Sequence, residues 1–385
     1  MKIIRPMDLT GAGVAESNAP PEVFPPWEPV GRDFAQEWEN VRFDTRGDTL
    51  YLINPGGAAS PDSIREYDLS TGENKGSPVA ELGGAPQFVA ASPNGQWLAV
   101  HCDMGYSGTT KSYSKLQIFS VATKALIHEF SVLRKISPNT TIGESDAGIL
   151  WADDSSFLAF EDYDPNPPAG SNFPERYTLM VAALSSNWGS VIRSPSSAEL
   201  LRNQVDSAHT GGLADFCLVG DDIIFSASYA SGAGGGYAKA AVIKFSTTTQ
   251  STSVAVTESR NYDSAFGLKI FSYLTYNPAK NQVLGFRSSS GTLYALDLGT
   301  MSESQDKPQG YDGIRCKDMK RSPDGLELVI AVSSPSPYVR RHSAADYTAI
   351  APLAPPISSS ISLIDYSDSY YVYRNPEGGY ALVNR

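Results

Sequence analysis

Four histidines, three cysteines and several paired acids are the groups in this 385-residue sequence whose types could carry chemistry. His101, His128, His209 and His342 lie far apart, and none has a second histidine at metal-ligating spacing. His101 and Asp103 stand two residues apart, which places both on one face of a strand. A polar strand end accounts for that pair more simply than a ligand pair. Asp162-Tyr163-Asp164-Pro165-Asn166 alternates oxygen ligands like a calcium loop, but it lacks the glycine at the sixth position and the closing glutamate. Asp153-Asp154 and Asp221-Asp222 are adjacent carboxylates that fit turn formation. The glycine-rich stretch from Ser226 to Tyr237 has neither the lysine nor the following helix of a phosphate-cradling loop. No G-x-S-x-G elbow and no H-E-x-x-H pair is present. The sequence therefore predicts no catalytic residue, no metal and no cofactor. One enzyme class stays open: a polysaccharide hydrolase or lyase needs only two acids converging on one bond, and distant loops can supply them.

Charge and cysteine usage narrow the partners. With 42 Asp plus Glu against 30 Lys plus Arg, the chain lacks the clustered positive charge that grips nucleic acid or anionic lipid. Cys102, Cys217 and Cys316 are odd in number and widely spaced, which argues against a disulfide framework or structural zinc and for folding in a reducing cytoplasm. The opening residues hold no apolar core of signal-peptide length, and no stretch is long enough to span a bilayer.

The elements that must position any site emerge from an internal repeat. Ser92-Pro93-Asn94-Gly95 followed by Gln96-Trp97-Leu98-Ala99-Val100 matches Ser322-Pro323-Asp324-Gly325 followed by Leu326-Glu327-Leu328-Val329-Ile330 in one register. Each reads as strand, tight turn, strand: proline presets φ, Asn or Asp bonds back to the backbone, and glycine accepts positive φ. Further copies start at Asp44, Asp153, Gly220, Asn277 and Ser367, making seven. After each copy comes a second strand-like run: Ile64–Leu69, Leu116–Val121, Leu179–Leu184, Ala241–Phe245, Leu293–Leu298, Tyr338–His342 and Tyr380–Val383. The many glycines and prolines fit short strands and turns rather than long helices.

On these turns the chain resembles WD40-like and YVTN-like β-propellers over roughly residues 36–385, although it has no Trp-Asp dipeptide. The resemblance implies an all-β, seven-bladed propeller at residues 32–385, preceded by an extended arm at 1–31. The last repeat ends on its third strand, so the outer strand of that blade is expected from Val30–Glu37. Insertions fall between the second and third strands, at 103–114, 161–176 and 226–238, and all such loops leave one face of the disc. They carry Tyr106, Tyr113, Asp162, Tyr163, Asp164, Asn166, Phe173, Arg176, Tyr229 and Tyr237, a mixture suited to protein or glycan contact. The alternative is that these tyrosines simply cap the blade ends.

Residues 1–31 lack periodicity and hold five prolines between Pro20 and Pro29. Ordering such a segment costs roughly 1–2 kcal/mol per residue, which it cannot recover alone. Ile3, Ile4, Arg5, Pro6, Phe24 and Trp27 are its expected anchors on a partner, the other reading being that the arm packs along its own propeller. Met1-Lys2-Ile3-Ile4-Arg5-Pro6, then Ser17-Asn18-Ala19-Pro20-Pro21-Glu22 and Trp27, resemble the leader of tail-associated virion proteins of tailed bacteriophages, with one extra proline. After Trp27 that family's usual Tyr and Gly-Asp run is missing. The resemblance implies a structural virion protein of the tail or baseplate, assembled in the bacterial cytoplasm in several symmetric copies. It would be anchored by its arm to other tail proteins and would present the loops to a subunit, host receptor or surface glycan. The alternatives are a depolymerase of host polysaccharide and a cytoplasmic propeller that serves as an interaction scaffold.

Overall fold

The computed structural model describes residues 42–384 except 55–57, 107–111, 134–147, 164–177, 202–208, 232–236, 262–270, 288–290, 312, 323, 335–337, 354–363, 367–369 and 376–378. The chain forms successive antiparallel sheets, each built in the order of its sequence. The first holds β1 (Arg42–Arg46), β2 (Thr49–Ile53), β3 (Ile64–Asp68) and β4 (Asn74–Gly76). The second holds β5 (Ala85–Ala91), β6 (Trp97–Tyr106), β7 (Ser112–Ser120) and β8 (Leu126–Leu133). In the third are β9 (Ile149–Trp151), β10 (Phe157–Tyr163), β11 (Thr178–Leu184) and β12 (Val191–Arg193), followed by the short helix α1 (Ser197–Leu201). The fourth comprises β13 (His209–Val219), β14 (Asp222–Ser231), β15 (Tyr237–Ser246) and β16 (Thr252–Asn261). In the fifth are β17 (Phe271–Asn277), β18 (Gln282–Arg287), β19 (Leu293–Asp297) and β20 (Ser302–Glu303). The sixth has β21 (Arg315–Arg321), β22 (Glu327–Ser334), β23 (Tyr338–Ser343) and β24 (Ala349–Leu353). Last come β25 (Ile364–Tyr366), β26 (Tyr370–Asn375) and β27 (Gly379–Asn384), a three-stranded sheet.

The first strands touch one another in sequence from β1 to β25, and β25 also touches β1, so the sheets close into an all-β propeller. Seven four-stranded blades were expected; among the described residues six are complete, and the last repeat supplies three strands. The segment expected to complete it, 30–37, lies outside the described residues.

The repeated turns explain why strands begin where they do. In the second blade Ser92 N–H donates to Trp97 O at 2.9 Å, Gly95 N–H to Ser92 O at 2.9 Å, and Trp97 N–H to Ser92 Oγ at 2.9 Å. In the sixth blade the same three bonds join Ser322, Gly325 and Glu327, each again at 2.9 Å. Gly95 and Gly325 take φ of 69° and 74°, the left-handed region that glycine adopts without a Cβ clash. A second tie recurs: the turn after the third strand donates an N–H to a carbonyl of the first turn. It joins Leu69 to Asp48, Val121 to Gln96, Ser185 to Ser156, Thr247 to Asp221, Leu298 to Asn281 and Ala344 to Leu326, at 2.7–3.1 Å. All these short turns therefore share one face of the disc.

Packing follows from the strand period of two. Leu158 and Phe160 join a cluster with Ala99, Leu116 and Ile118 of the second blade, while Phe157 and Ala159 between them join Ile223 and Phe225 of the fourth. The next residue, Ile224, turns the other way and packs on Val283 and Leu296 of the fifth blade. Leu284 and Phe286 in turn meet Leu328 and Ile330 of the sixth, and Leu98 and Val100 meet Tyr51 and Ile53 of the first. Each interface between neighbouring complete blades is one apolar cluster, and a fully buried side chain of this size contributes roughly 1.5–3 kcal/mol.

Two glycines differ in a testable way. A Cβ at Gly95 meets nothing within 4 Å, so Gly95→Ala costs only its backbone strain, about 1–2 kcal/mol. At Gly291 (φ 63°) a Cβ would fall 2.2 Å from the Ile314 carbonyl oxygen, so Gly291→Ala costs more than about 2 kcal/mol. Urea denaturation of the two variants measures that order.

Candidate functional site

Antiparallel blades put the loops between second and third strands on the face opposite the tight turns. Tyr106 closes β6 opposite Ser112, and Tyr113 in β7 pairs with Leu133. Asp162 and Tyr163 end β10 opposite Leu179 and Thr178. Tyr229 in β14 pairs with Lys239, and Tyr237 opens β15 opposite Asn261. These six sequence-predicted residues thus sit at strand ends on one face, from three adjacent blades. Asp162 is half-buried. Asp164, Asn166, Phe173 and Arg176 lie outside the described residues, as do the arm anchors Ile3, Ile4, Arg5, Pro6, Phe24 and Trp27.

Much of what the sequence suggested as loop is strand. The expected insertions 103–114 and 226–238 shrink to the links 107–111 and 232–236, because β6, β7, β14 and β15 run on as strands of nine or ten residues paired in hairpins. Alternation of Ser, Ala, Tyr and Gly masked this continuation, since small residues carry no apolar period. Met104, near the tip of β6, is 43% exposed and adds an apolar contact to this face.

A second feature was not foreseen. The first strands of blades three to six line a cavity of about 230 Å³, walled by Trp151, Phe216, Cys217, Tyr273, Tyr276 and Met319, with Asp215, Asp318 and Lys320. Asp215 and Asp318 are 6% and 5% exposed. Both follow a shift of register, between Leu213 and Asp215 and between Cys316 and Asp318, and such a bulge re-aims the side chain. Asp215 accepts from Leu274 N–H of the next blade at 2.7 Å and from Phe216 N–H at 2.8 Å. Asp44 of the first blade likewise accepts from Ala91 N–H of the second at 2.7 Å. Burial raises the Asp215 carboxyl to about 7, against the pull of those two amides and Lys320. The opposing Asp318 adds to the rise.

The cavity is smaller than the roughly 300–1,000 Å³ of usual ligand pockets. Its one thiol, Cys217, is driven well above its ordinary range by burial, which makes it a poor nucleophile. Tyr273 holds φ at 59°, a strained value for a side-chain-bearing residue, inside the register shift of β17. Across the tight-turn mouth, Arg321 of the sixth blade reaches Asp153 of the third at 3.4 Å. The paired acids Asp153-Asp154 are turn residues as expected: Asp154 Oδ1 accepts from Ser156 N–H at 2.9 Å.

His342 belongs to a buried network between blades five and six. Its Nδ1–H donates to Tyr347 O at 3.0 Å, so Nε2 accepts from the Tyr311 hydroxyl at 2.6 Å. The Tyr347 hydroxyl donates to Gln282 Oε1 at 2.7 Å and accepts from Asn277 Nδ2 at 3.0 Å. Burial lowers the His342 pKa and raises that of Tyr347 to about 12. Partners 31 to 70 residues apart gave the sequence no sign of this network. Neutral and engaged on both nitrogens, His342 is a structural clamp.

No protein-family model matches the chain, and no curated protein matches it. Solved structures do. A chain in a crystal structure of the mitotic checkpoint complex aligns over 99% of this chain and 99% of its own, at 9% identity and a TM-score of 0.55. BamB from Moraxella catarrhalis aligns over 90% and 84%, at 12% identity and 0.47. A chain of a eukaryotic initiation factor aligns over 91% and 72%, at 14% identity and 0.44. At such identities the likeness concerns fold alone.

The two buried titrating groups predict opposite pH slopes. Asp215 binds its proton more tightly folded than unfolded, so its stabilisation is full below about 4 and is lost as pH rises through about 7. Asp215→Asn removes that loss and costs about 1–3 kcal/mol, because an amide cannot accept from both N–H groups. His342 binds its proton less tightly folded, so its contribution is present above the ordinary histidine range and is lost as pH falls below it. His342→Phe flattens this acid-side slope. Urea midpoints from pH 4 to 8 for both variants separate the two.

Proposed function

We propose that this protein is an interaction scaffold, a propeller that binds a protein partner through the hairpin face of blades two to four without chemistry. The observation that carries this reading is the contrast between the faces. The hairpin ends bring Tyr106, Tyr113, Asp162, Tyr163, Tyr229 and Tyr237 to one side, whereas the other side is made of short turns tied to one another. Tyrosine offers large contact area at low entropic cost. The cavity is too small to be the main site, and its Asp215 and Asp318 accept from backbone amides. A fold neighbour solved within the mitotic checkpoint complex fits such a role.

Photo-crosslinking residues placed at Tyr163 or Tyr229 should capture partner peptides in the native cell, while one at Thr123 on the turn face should not. Equal capture from both faces would sink the proposal. Residues 1–31 favour a more specific placement, because their leader resembles that of phage tail proteins. In that reading the scaffold stands in a virion, in several symmetric copies, and faces another tail subunit or the host surface. Mass spectrometry of gradient-purified particles should then find this chain in stoichiometric amount. Complete, infectious particles without it would leave the scaffold reading standing and remove the virion one.

A further inference from the structure

The cavity among the first strands of blades three to six carries a charge arrangement that packing alone does not require. Three of its wall strands, β13, β17 and β21, break register where they line it, at Leu213/Asp215, Ser272/Thr275 and Cys316/Asp318. Such bulges re-aim side chains and gather next to active sites. Here they bring Asp215, Tyr273 and Asp318 to one space, and the strained φ of Tyr273 is stored in the second of them. Asp215 accepts Leu274 N–H at 2.7 Å and Phe216 N–H at 2.8 Å. A carboxylate offers roughly four acceptor sites, so it can also accept from a ligand in the cavity it lines. The charged groups that bear on Asp215 are Lys320 and Asp318. With all three ionised, they sum to one negative charge. Burial outweighs the pull of Lys320 on the Asp215 carboxyl, so the lysine does not balance it.

We propose that this cavity binds a small free alkylammonium ion, its charged head between Asp215 and Asp318 and its carbon chain along Tyr273 and Tyr276 toward the tight-turn mouth. The sign of the ligand follows from the charge, which repels an anion and which a neutral solute leaves unbalanced. Its carbon chain follows from the walls: Phe216, Leu274 and Met319 offer apolar surface to methylenes, and aromatic rings attract an ammonium head. Its length follows from the depth. Asp318 stands three residues before Arg321 of the mouth, roughly 10 Å along the strand. A volume of about 230 Å³ is the share of about seven or eight waters, enough for a short chain. The mouth says why the amine is free rather than a side chain on a protein. Arg321 and Asp153 pair across it with side chains 24% and 82% exposed, and an exposed pair opens at little cost. It can close again over a ligand that lies wholly below it, whereas a lysine reaching in from a peptide would hold it apart. The proposal does not rest on the hairpin face being a binding surface.

The test is calorimetric titration of the full-length chain with n-butylamine, n-butanol and butyrate at about pH 8, in about 0.15 M salt to screen its excess surface acids. One n-butylamine should bind per chain, and neither the alcohol nor the anion should. Asp215→Asn should weaken the amine by roughly ten-fold or more, because it removes a charged acceptor. Lys320→Met, which removes the competing cation and leaves the blade-bridging bonds in place, should tighten it several-fold. Affinity should fall as pH drops through about 7, where Asp215 takes up its proton. The other titratable groups lining the same space are Cys217 on its own strand, Tyr273 and Tyr276 of β17, Asp318 and Lys320 of β21, and Asp153 and Arg321 at the mouth. Absence of saturable binding, butyrate bound as well as the amine, or an affinity indifferent to both substitutions would overturn the proposal. So would N-acetyl-lysine methylamide binding as tightly as n-butylamine, because the ammonium would then reach in from a peptide.

Discussion

Every complete blade of this protein is apolar on both faces, and that constraint governs the rest. Ile223, Ile224 and Phe225 are three consecutive fully buried residues of one strand, which an antiparallel sheet with one wet face does not tolerate. Alternation sends the first and third toward one neighbour and the second toward the other. A single such sheet would leave an apolar face in water. Stacked around an axis, each sheet covers the next, and the circuit ends only when the last meets the first. The twin turn bonds keep the strands in the register that alternation requires, because a slip of one residue would turn both faces inside out.

The polar interior answers to the same geometry. Where first strands converge, backbone groups of adjacent blades approach without a shared ladder, and side chains bridge them. Asp44, Asp215 and Thr275 each do so, the last through its hydroxyl to Met319 O at 2.7 Å. A perturbed acid in a cleft often marks catalysis. Here Asp215 is explained by the blade junction it spans, and His342 by the Tyr311 and Tyr347 groups it joins.

How much of this was legible in the sequence depended on the range of the signal. The Ser-Pro-Asn-Gly and Ser-Pro-Asp-Gly turns are local, and they place the strands that flank them. The runs beginning at Ile64, Leu179, Leu293, Tyr338 and Tyr380 became third strands with boundaries shifted by no more than a residue or two. Seven complete blades were expected and six are complete among the described residues, because the segment expected to complete the last one lies outside them. The hairpin extensions were missed where small residues hide the period of two, and α1 because five residues fall below the length at which helical periodicity can be seen. The cavity and the buried clamp depend on partners in different blades. The hairpin face was placed on the correct side by topology alone, since every second loop of a meandering blade must leave from the same edge.

The nearest-neighbour character of the interfaces also orders events during synthesis. Each apolar cluster joins two sheets that are consecutive in the chain, so a blade can cover its predecessor as soon as it leaves the ribosome. At every stage the growing arc exposes one uncovered face at its advancing end and one at its start. The flank of β1 stays open longest, because β25 is made after the first strands of the other six sheets. A nascent molecule of this kind is sticky at both ends until its final strands arrive. Its need for protection against association with other chains thus stays the same while the arc lengthens and vanishes in a single step.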